Sequence, residues 1–312
     1  MLSLSKFIFI NHSNLERYGY SLTKFKRIRE TRMFVSDLLA GKRYLITGGG
    51  TGLGKMMTRK VCELGGSVSI CGRREHVLVE TADELNEEFG PRVTWYTLDI
   101  RDPEAVDAVV DAVWDEAPID GLINNAAGNF LARTETISHR ALDAVLNIVA
   151  HGSAYMTLAC GKKWIANDRP GNVLSIITTY AWTGSAYVLP SAMGKAAILA
   201  MTRSLAVEWG PKGIRLNAIS PGPFPTEGAW ERLVPTKKLA DVWEQRNPLG
   251  RTGKHEELMN LVAYLLSDQS GYINGDNITI DGGEWLAGAG QFNFANILTD
   301  EEWDKITPKK KE

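Results

Sequence analysis

From Lys42 onward the chain alternates short apolar runs with segments whose apolar residues recur at helical spacing. That alternation predicts βαβ units on a parallel sheet, hence an α/β architecture. Strands are predicted at Tyr44–Thr47, Ser67–Cys71, Val93–Leu98, up to Leu122-Ile123, Val173–Ile177, Ile214–Ile219 and Asn277–Ile280. Helices are predicted at Gly54–Leu64, Glu75–Phe89, from Pro103, at Ser138–Ile165 and at Pro190–Trp209. Pro103 suits a first helical turn, where its missing N–H costs nothing. One domain covers residues 33–290, with no internal repeat and no composition break after residue 42. Pro221–Gly253 breaks the pattern: rich in Pro and Gly and carrying Trp230 and Trp243, it predicts an insertion over a pocket, about 224–253.

The ends read differently. Residues 1–32 carry Lys6, Arg17, Lys24, Lys26, Arg27, Arg29 and Arg32 against Glu16 and Glu30. Three readings compete: an organelle transit peptide, which would direct the chain to the mitochondrial matrix; a disordered basic arm; or residues upstream of a start at Met33. The last is preferred, because Met33 opens a short polar lead into the first strand, and it implies a cytoplasmic protein. The tail 291–312 carries Phe292, Phe294, Ile297, Leu298 and Trp303, too apolar for a free tail. It is expected to enclose a pocket or contact a subunit.

A net charge of -2 gives no reason to expect nucleic acid or an anionic membrane as partner. The purely apolar runs are short, such as Phe7–Ile10, so no membrane insertion is expected. Cys62, Cys71 and Cys160 form no CxxC pair and no metal spacing. They read as small buried hydrophobes, and no metal site is expected.

The first strand runs into Thr47-Gly48-Gly49-Gly50-Thr51-Gly52-Leu53-Gly54 and then a helix. Glycines at such a turn permit positive φ and let the backbone approach a pyrophosphate. The helix N-terminus then offers unpaired N–H groups to the phosphates. Gly48, Thr51, Gly52, Leu53 and Gly54 are therefore candidate dinucleotide contacts. After strand two, where an acid would hydrogen-bond a ribose 2′-OH, the chain reads Cys71-Gly72-Arg73-Arg74. Two guanidiniums suit a 2′-phosphate, so NADP(H) is the expected cofactor. Asp99, followed by Ile100, ends strand three, where it either meets the adenine or caps the turn before Pro103.

The glycine loop, Asn124-Asn125-Ala126-Ala127-Gly128, Arg215–Gly222 and Asp281-Gly282-Gly283 together resemble the short-chain dehydrogenase/reductase family over residues 40–290. The resemblance implies a single Rossmann-type domain, a seven-stranded parallel sheet flanked by helices, assembled as a homotetramer. It implies that Asn125, Ala126 and Ala127 line the adenosine side. It also implies that Pro221, Gly222, Pro223 and Thr226 run past the nicotinamide and pyrophosphate.

Most of that family carries Tyr-x-x-x-Lys, with a serine thirteen residues before the tyrosine. Reduction of a carbonyl puts charge on its oxygen, so an acid must sit there, and a nearby lysine cation lowers the tyrosine pKa. Here Lys195 is present, but Ser191 stands four residues before it, Thr178 at the upstream serine position and Val149 at a helical asparagine position. Asn124–Phe130, Thr179-Tyr180-Ala181-Trp182, Ser191–Lys195, Ala206–Gly210 and Tyr272–Gly275 resemble the 2,4-dienoyl-CoA reductases, where serine replaces the tyrosine. The resemblance implies reduction of an acyl-CoA in unsaturated fatty acid degradation, with Tyr180 and Asn129 bonding the thioester carbonyl. Lys195 would hold the nicotinamide ribose, and Ser191 would bond near nicotinamide or substrate. Phe130 and Trp230 join Asn129, Tyr180 and Ser191 as substrate contacts. That chemistry is coherent: hydride adds at the far end of the conjugated chain, so the oxyanion forms several bonds away. The alternatives are an enoyl- or 3-oxoacyl-thioester reductase, or an NADP(H)-binding sensor without turnover. His151 reads as a helix residue near the site, and Lys237, Lys238 and Arg251 as basic residues able to meet CoA phosphates.

Overall fold

The computed structural model describes residues 33–226, 234 and 236–306. Seven strands form one sheet in the order β3-β2-β1-β4-β5-β6-β7. They are β1 (Arg43–Thr47), β2 (Ser67–Gly72), β3 (Val93–Thr97), β4 (Gly121–Asn124), β5 (Gly171–Ile176), β6 (Ile214–Pro221) and β7 (Asn277–Ile280). Every pairing is parallel. The order reverses between β1 and β4, and a doubly wound sheet opens a crevice there, at the carboxyl ends of its strands.

The strands are legible as apolar runs because helices cover both sheet faces. The helices around the sheet are α1 (Gly52–Glu63), α2 (Glu75–Phe89), α3 (Pro103–Glu116), α4 (His139–Leu146), α5 (Ser153–Ala166), α6 (Tyr180–Thr183) and α7 (Leu189–Trp209). Later come α8 (Lys237–Arg246), α9 (His255–Leu266), α10 (Glu284–Ala289) and α11 (Asp300–Ile306). Leu45, Cys71, Leu122, Val173 and Leu216, one from each of five strands, meet Val106, Met156, Trp164 and Trp209 in one core beneath α3, α5 and α7. The alternate residues face the other way: Tyr44 donates its hydroxyl to the Leu266 carbonyl at the end of α9. α3 starts as its sequence demands, with Pro103 in the first turn and the Asp102 carboxylate accepting from Ala105 N–H.

Four expectations change. The helix expected across Ser138–Ile165 is interrupted by a wider, π-helical turn over Asn147–Gly152. Gly152 presses on Ile100, where a Cβ would lie 2.6 Å from Cγ1, so packing rather than local propensity sets the turn. Within the irregular Pro221–Gly253 stretch sits a regular helix, α8. The run His139–Ala166 proves long and apolar enough to cross a membrane by length and composition, although half of it is buried inside the protein, as a core helix is. The tail does not enclose the cleft with any described residue: Phe292, Phe294 and Ile297 are exposed, and among the described residues none beyond Ala289 lines it. The cysteines are buried as expected, and burial alone pushes the Cys71 thiol up to about 12, which keeps it unreactive.

Candidate active site

A cleft of about 1060 Å3 opens over the carboxyl ends of the strands at the switch point. Its floor is the glycine loop. Gly48 and Gly52 have φ of +66° and +52°, a left-handed backbone that glycine adopts without strain. A Cβ on Gly54 would collide with the Gly48 carbonyl, so the first turn of α1 closes on the loop only because Gly54 has none. Asn125 Nδ2 donates to the Thr47 carbonyl at 2.9 Å and the Gly48 carbonyl at 3.2 Å. Thr47 Oγ1 in turn accepts from the Asn125 and Ala126 N–H groups, each at 3.0 Å. This reciprocal clasp ties the end of β4 to the loop. Thr47, buried at the strand end, is a functional residue that sequence reasoning missed; the only signal was a hydroxyl at the last position of an otherwise apolar strand.

Gly48, Thr51, Gly52, Leu53, Gly54, Arg73, Arg74, Asp99, Ile100, Asn125, Ala126, Ala127, Asn129, Tyr180, Ser191, Lys195, Pro221, Gly222 and Thr226 all line this one cleft. Pro223 lies off it and lines a smaller neighbouring cavity with Phe224 and Arg251. Phe130 is also absent from the lining; it packs on a core of Val145, Val149, Ile177 and Ile198. Trp230 lies outside the described residues. The structure adds Arg246 from α8 and Glu284, Trp285, Gly288 and Ala289 from α10. His151 is exposed and paired with Asn147. Arg251 is occupied by a two-point pair with Glu257, while Lys237 and Lys238 are exposed.

At the cleft's polar end, Asp99 caps the turn before Pro103, its Oδ1 accepting the Arg101 N–H at 3.1 Å, while the helix itself is capped by Asp102. Both Asp99 oxygens accept from the Arg101 side chain, and that bond, before the field of Arg73, holds the carboxyl below its usual range. Arg73 and Arg74 are exposed and make no ion pair among the described residues.

At the other end, β5 leads through Thr178 into the single turn α6, which begins at Tyr180. Thr178 Oγ1 accepts the Tyr180 N–H at 3.2 Å and fixes the start of that turn. Tyr180 Oη lies 3.0 Å from Ser191 Oγ on α7 and receives a bond from Asn129 Nδ2 at 3.3 Å. Asn129 Oδ1 is held by the Phe130 N–H at 2.9 Å, which turns the amide nitrogen toward Tyr180. Burial raises the Tyr180 pKa, so its hydroxyl stays a donor at neutral pH. Lys195, one helical turn after Ser191, is 5% exposed. Its ammonium donates to the Ile176 carbonyl at 2.5 Å, and desolvation lowers its pKa to about 8. Val149 fills the space behind: a Cβ on Gly194 would sit 2.8 Å from its Cγ1.

A cleft with a glycine-cradled polar end and a hydroxyl–amide cluster beside a buried lysine is that of a nicotinamide-dependent oxidoreductase, and the comparisons agree. A family model described as "Enoyl-(Acyl carrier protein) reductase" matches residues 48–284. The chain belongs to the short-chain dehydrogenase/reductase family. A Bacillus subtilis protein named "Probable 2,4-dienoyl-CoA reductase", (2E)-enoyl-CoA-producing, is 44% identical over 247 residues, which are 78% of this chain and 97% of that protein. The mouse peroxisomal 2,4-dienoyl-CoA reductase, (3E)-enoyl-CoA-producing, is 34% identical over 81% of this chain and 87% of its own. Among solved structures, a short chain dehydrogenase from Bacillus anthracis superposes with a TM-score of 0.72 at 40% identity, covering 78% of this chain and 97% of that one. A gluconate 5-dehydrogenase from Burkholderia cenocepacia, in complex with NADP and tartrate, gives 0.76 at 28% identity over 81% and 98%.

Proposed function

We propose that the protein reduces a 2,4-dienoyl-CoA with NADPH, a step in degrading unsaturated fatty acids. The observation that carries this reading is the cluster of Tyr180, Asn129 and Ser191, which puts a tyrosine hydroxyl and an amide at one point of the cleft although Ser191 precedes Lys195. The cofactor fits the residues present. The absence of a Cβ at Gly54 lets the first turn of the helix close on the Gly48 carbonyl, the tight glycine turn that lets a backbone approach a pyrophosphate, and Arg73 and Arg74 are available to a ribose phosphate. NADPH bound there supplies a hydride. Lys195 holds the ribose hydroxyls through its ammonium and keeps the site positive. Hydride enters at C5 of the dienoyl chain, and the electron pair moves to the thioester oxygen. Tyr180 and Asn129 stabilise that oxygen as donors. A proton from water then completes the product: at C4 it leaves the (2E)-enoyl thioester, at C2 the (3E).

Arg73→Ala with Arg74→Ala is expected to raise KM for NADPH by roughly 10- to 100-fold, the scale of one or two charge-assisted hydrogen bonds. KM for NADH should change little. Equal effects on both cofactors would remove the basis for choosing NADPH.

The function itself is tested by NADPH oxidation against dienoyl-, enoyl- and 3-oxoacyl-CoA, with the product double bond placed by NMR. Fastest turnover of the dienoyl thioester is expected. Reduction of the 3-oxoacyl thioester alone would return the site to carbonyl chemistry. An enoyl substrate would keep the oxyanion role of Tyr180 but change the substrate. Cofactor binding without turnover of any of them would favour a sensor.

A further inference from the structure

The cleft continues past Tyr180 into a region whose far wall is α10. This helix is short, but it is firmly anchored. The Asp281 carboxylate, largely buried at the end of β7, accepts from the Gly283 N–H and the Trp285 N–H, both at 2.9 Å. Asn247 Nδ2 bonds the Asp281 carbonyl at 2.8 Å. Glu284, at the first position of α10, lines the cleft together with Trp285, Gly288 and Ala289, which at i, i+3 and i+4 turn one face to it, while Leu286 points elsewhere and is 56% exposed. The Trp285 ring meets the edge of Trp182 with centroids 5.7 Å apart and planes at 87°, a favourable aromatic geometry. Trp182 belongs to the same single turn as Tyr180. Beyond Glu284, that face of α10 therefore carries a large, braced aromatic next to two positions with almost no side chain. Leu131 and Val188 add to the apolar lining.

We propose that this face of α10 is the wall of an acyl subsite, with Trp285 limiting its breadth and Gly288 leaving the lane along which the acyl chain runs. The inference rests on the acyl-thioester reading above and adds the residues that select the chain. Its chemistry is apolar recognition: each methylene placed against the wall contributes about 0.8 kcal/mol, and a braced indole rejects bulk because a packed wall does not yield.

Two variants act in opposite directions. Trp285→Ala removes the indole. Gly288→Leu adds a side chain where a Cβ meets nothing within 4 Å, so the fold accepts it and the lane narrows. Turnover is measured for dienoyl-, enoyl- and 3-oxoacyl-CoA of six, ten and fourteen carbons, with KM for NADPH followed in parallel. Trp285→Ala is expected to raise the fourteen- to six-carbon ratio of kcat/KM at least fivefold. Gly288→Leu should lower it at least fivefold, and neither should move KM for NADPH by more than about twofold. The ratio is read on whichever series is reduced, so a substrate other than the dienoyl thioester overturns the functional reading and leaves the wall to its own result. If no thioester is reduced, calorimetric binding of saturated acyl-CoAs of the same lengths gives the ratio instead. Unchanged ratios in both variants, or no acyl-CoA binding at all, would overturn the wall.

Discussion

Replacing Tyr180 with phenylalanine is expected to lower kcat by roughly 10²–10³-fold, the usual cost of one lost oxyanion donor. The argument lies in where the hydroxyl sits. It is held by Asn129 and Ser191, not by the ammonium of Lys195, and burial keeps it protonated. Such a group donates a hydrogen bond to developing charge rather than surrendering a proton. Cofactor affinity should barely change. Ser191→Ala should cost less, because a serine hydroxyl is not an acid that ionises near neutrality and here serves as a neighbour of the tyrosine. Single-turnover rates with both variants check this. If Ser191 proves essential and Tyr180 dispensable, Ser191 carries the acid role and a carbonyl substrate moves to the front.

Lys195→Met is expected to reduce kcat/KM by about 10²-fold or more and to remove an alkaline limb from the pH profile. Desolvation sets the Lys195 pKa near 8, well under the ordinary lysine value, so the ammonium is present below about pH 8 and lost above it. Activity that needs the cation falls as pH rises through that value. Stability runs the other way. Between pH 8 and the lysine's unfolded value the unfolded chain binds the extra proton, so the native state gains stability as pH rises across that window. At pH 7 the buried cation is a cost, and Lys195→Met should melt higher than the parent while turning over slower. A parent profile flat to pH 10, or a variant that melts lower, contradicts this account. The pairing is the usual trade of active sites, where a group placed for chemistry burdens the fold.

Much of the molecule was readable before its structure. Strands buried on both faces leave short apolar runs, and glycine spacing at Gly48, Gly52 and Gly54 reports a backbone that must turn sharply and be approached closely. The candidate site was legible where it follows a strand end: Asn129 after β4, Tyr180 after β5. What escaped was assembled at a distance. Trp285 and Gly288 sit in a stretch without helical periodicity, and only the anchor at Asp281 swings them over the cleft. Arg246 reached the lining through α8, hidden in a segment whose Pro and Gly content suggests loop. The wider turn at Asn147–Gly152 packs through Gly152 on Ile100, far earlier in the chain, and no local pattern announces such a contact. Phe130 shows the opposite failure: its place beside Asn129 implies exposure to the cleft, yet its ring goes to the core.

The mutual pairing of Tyr180, Asn129 and Ser191 has a consequence for rate as distinct from affinity. Before substrate arrives, the tyrosine hydroxyl already has a hydrogen-bond partner in Ser191 Oγ. A ground-state thioester carbonyl, a weak acceptor, gains little by displacing one hydroxyl partner for another, so the exchange is close to neutral. Once hydride has entered, the same oxygen carries negative charge and outcompetes the serine decisively, since bonds to charged acceptors are about twice as strong. On the proposed function, the site withholds most of its binding free energy until the electrons reach the oxygen. Interaction of that kind lowers the barrier instead of deepening the well in front of it.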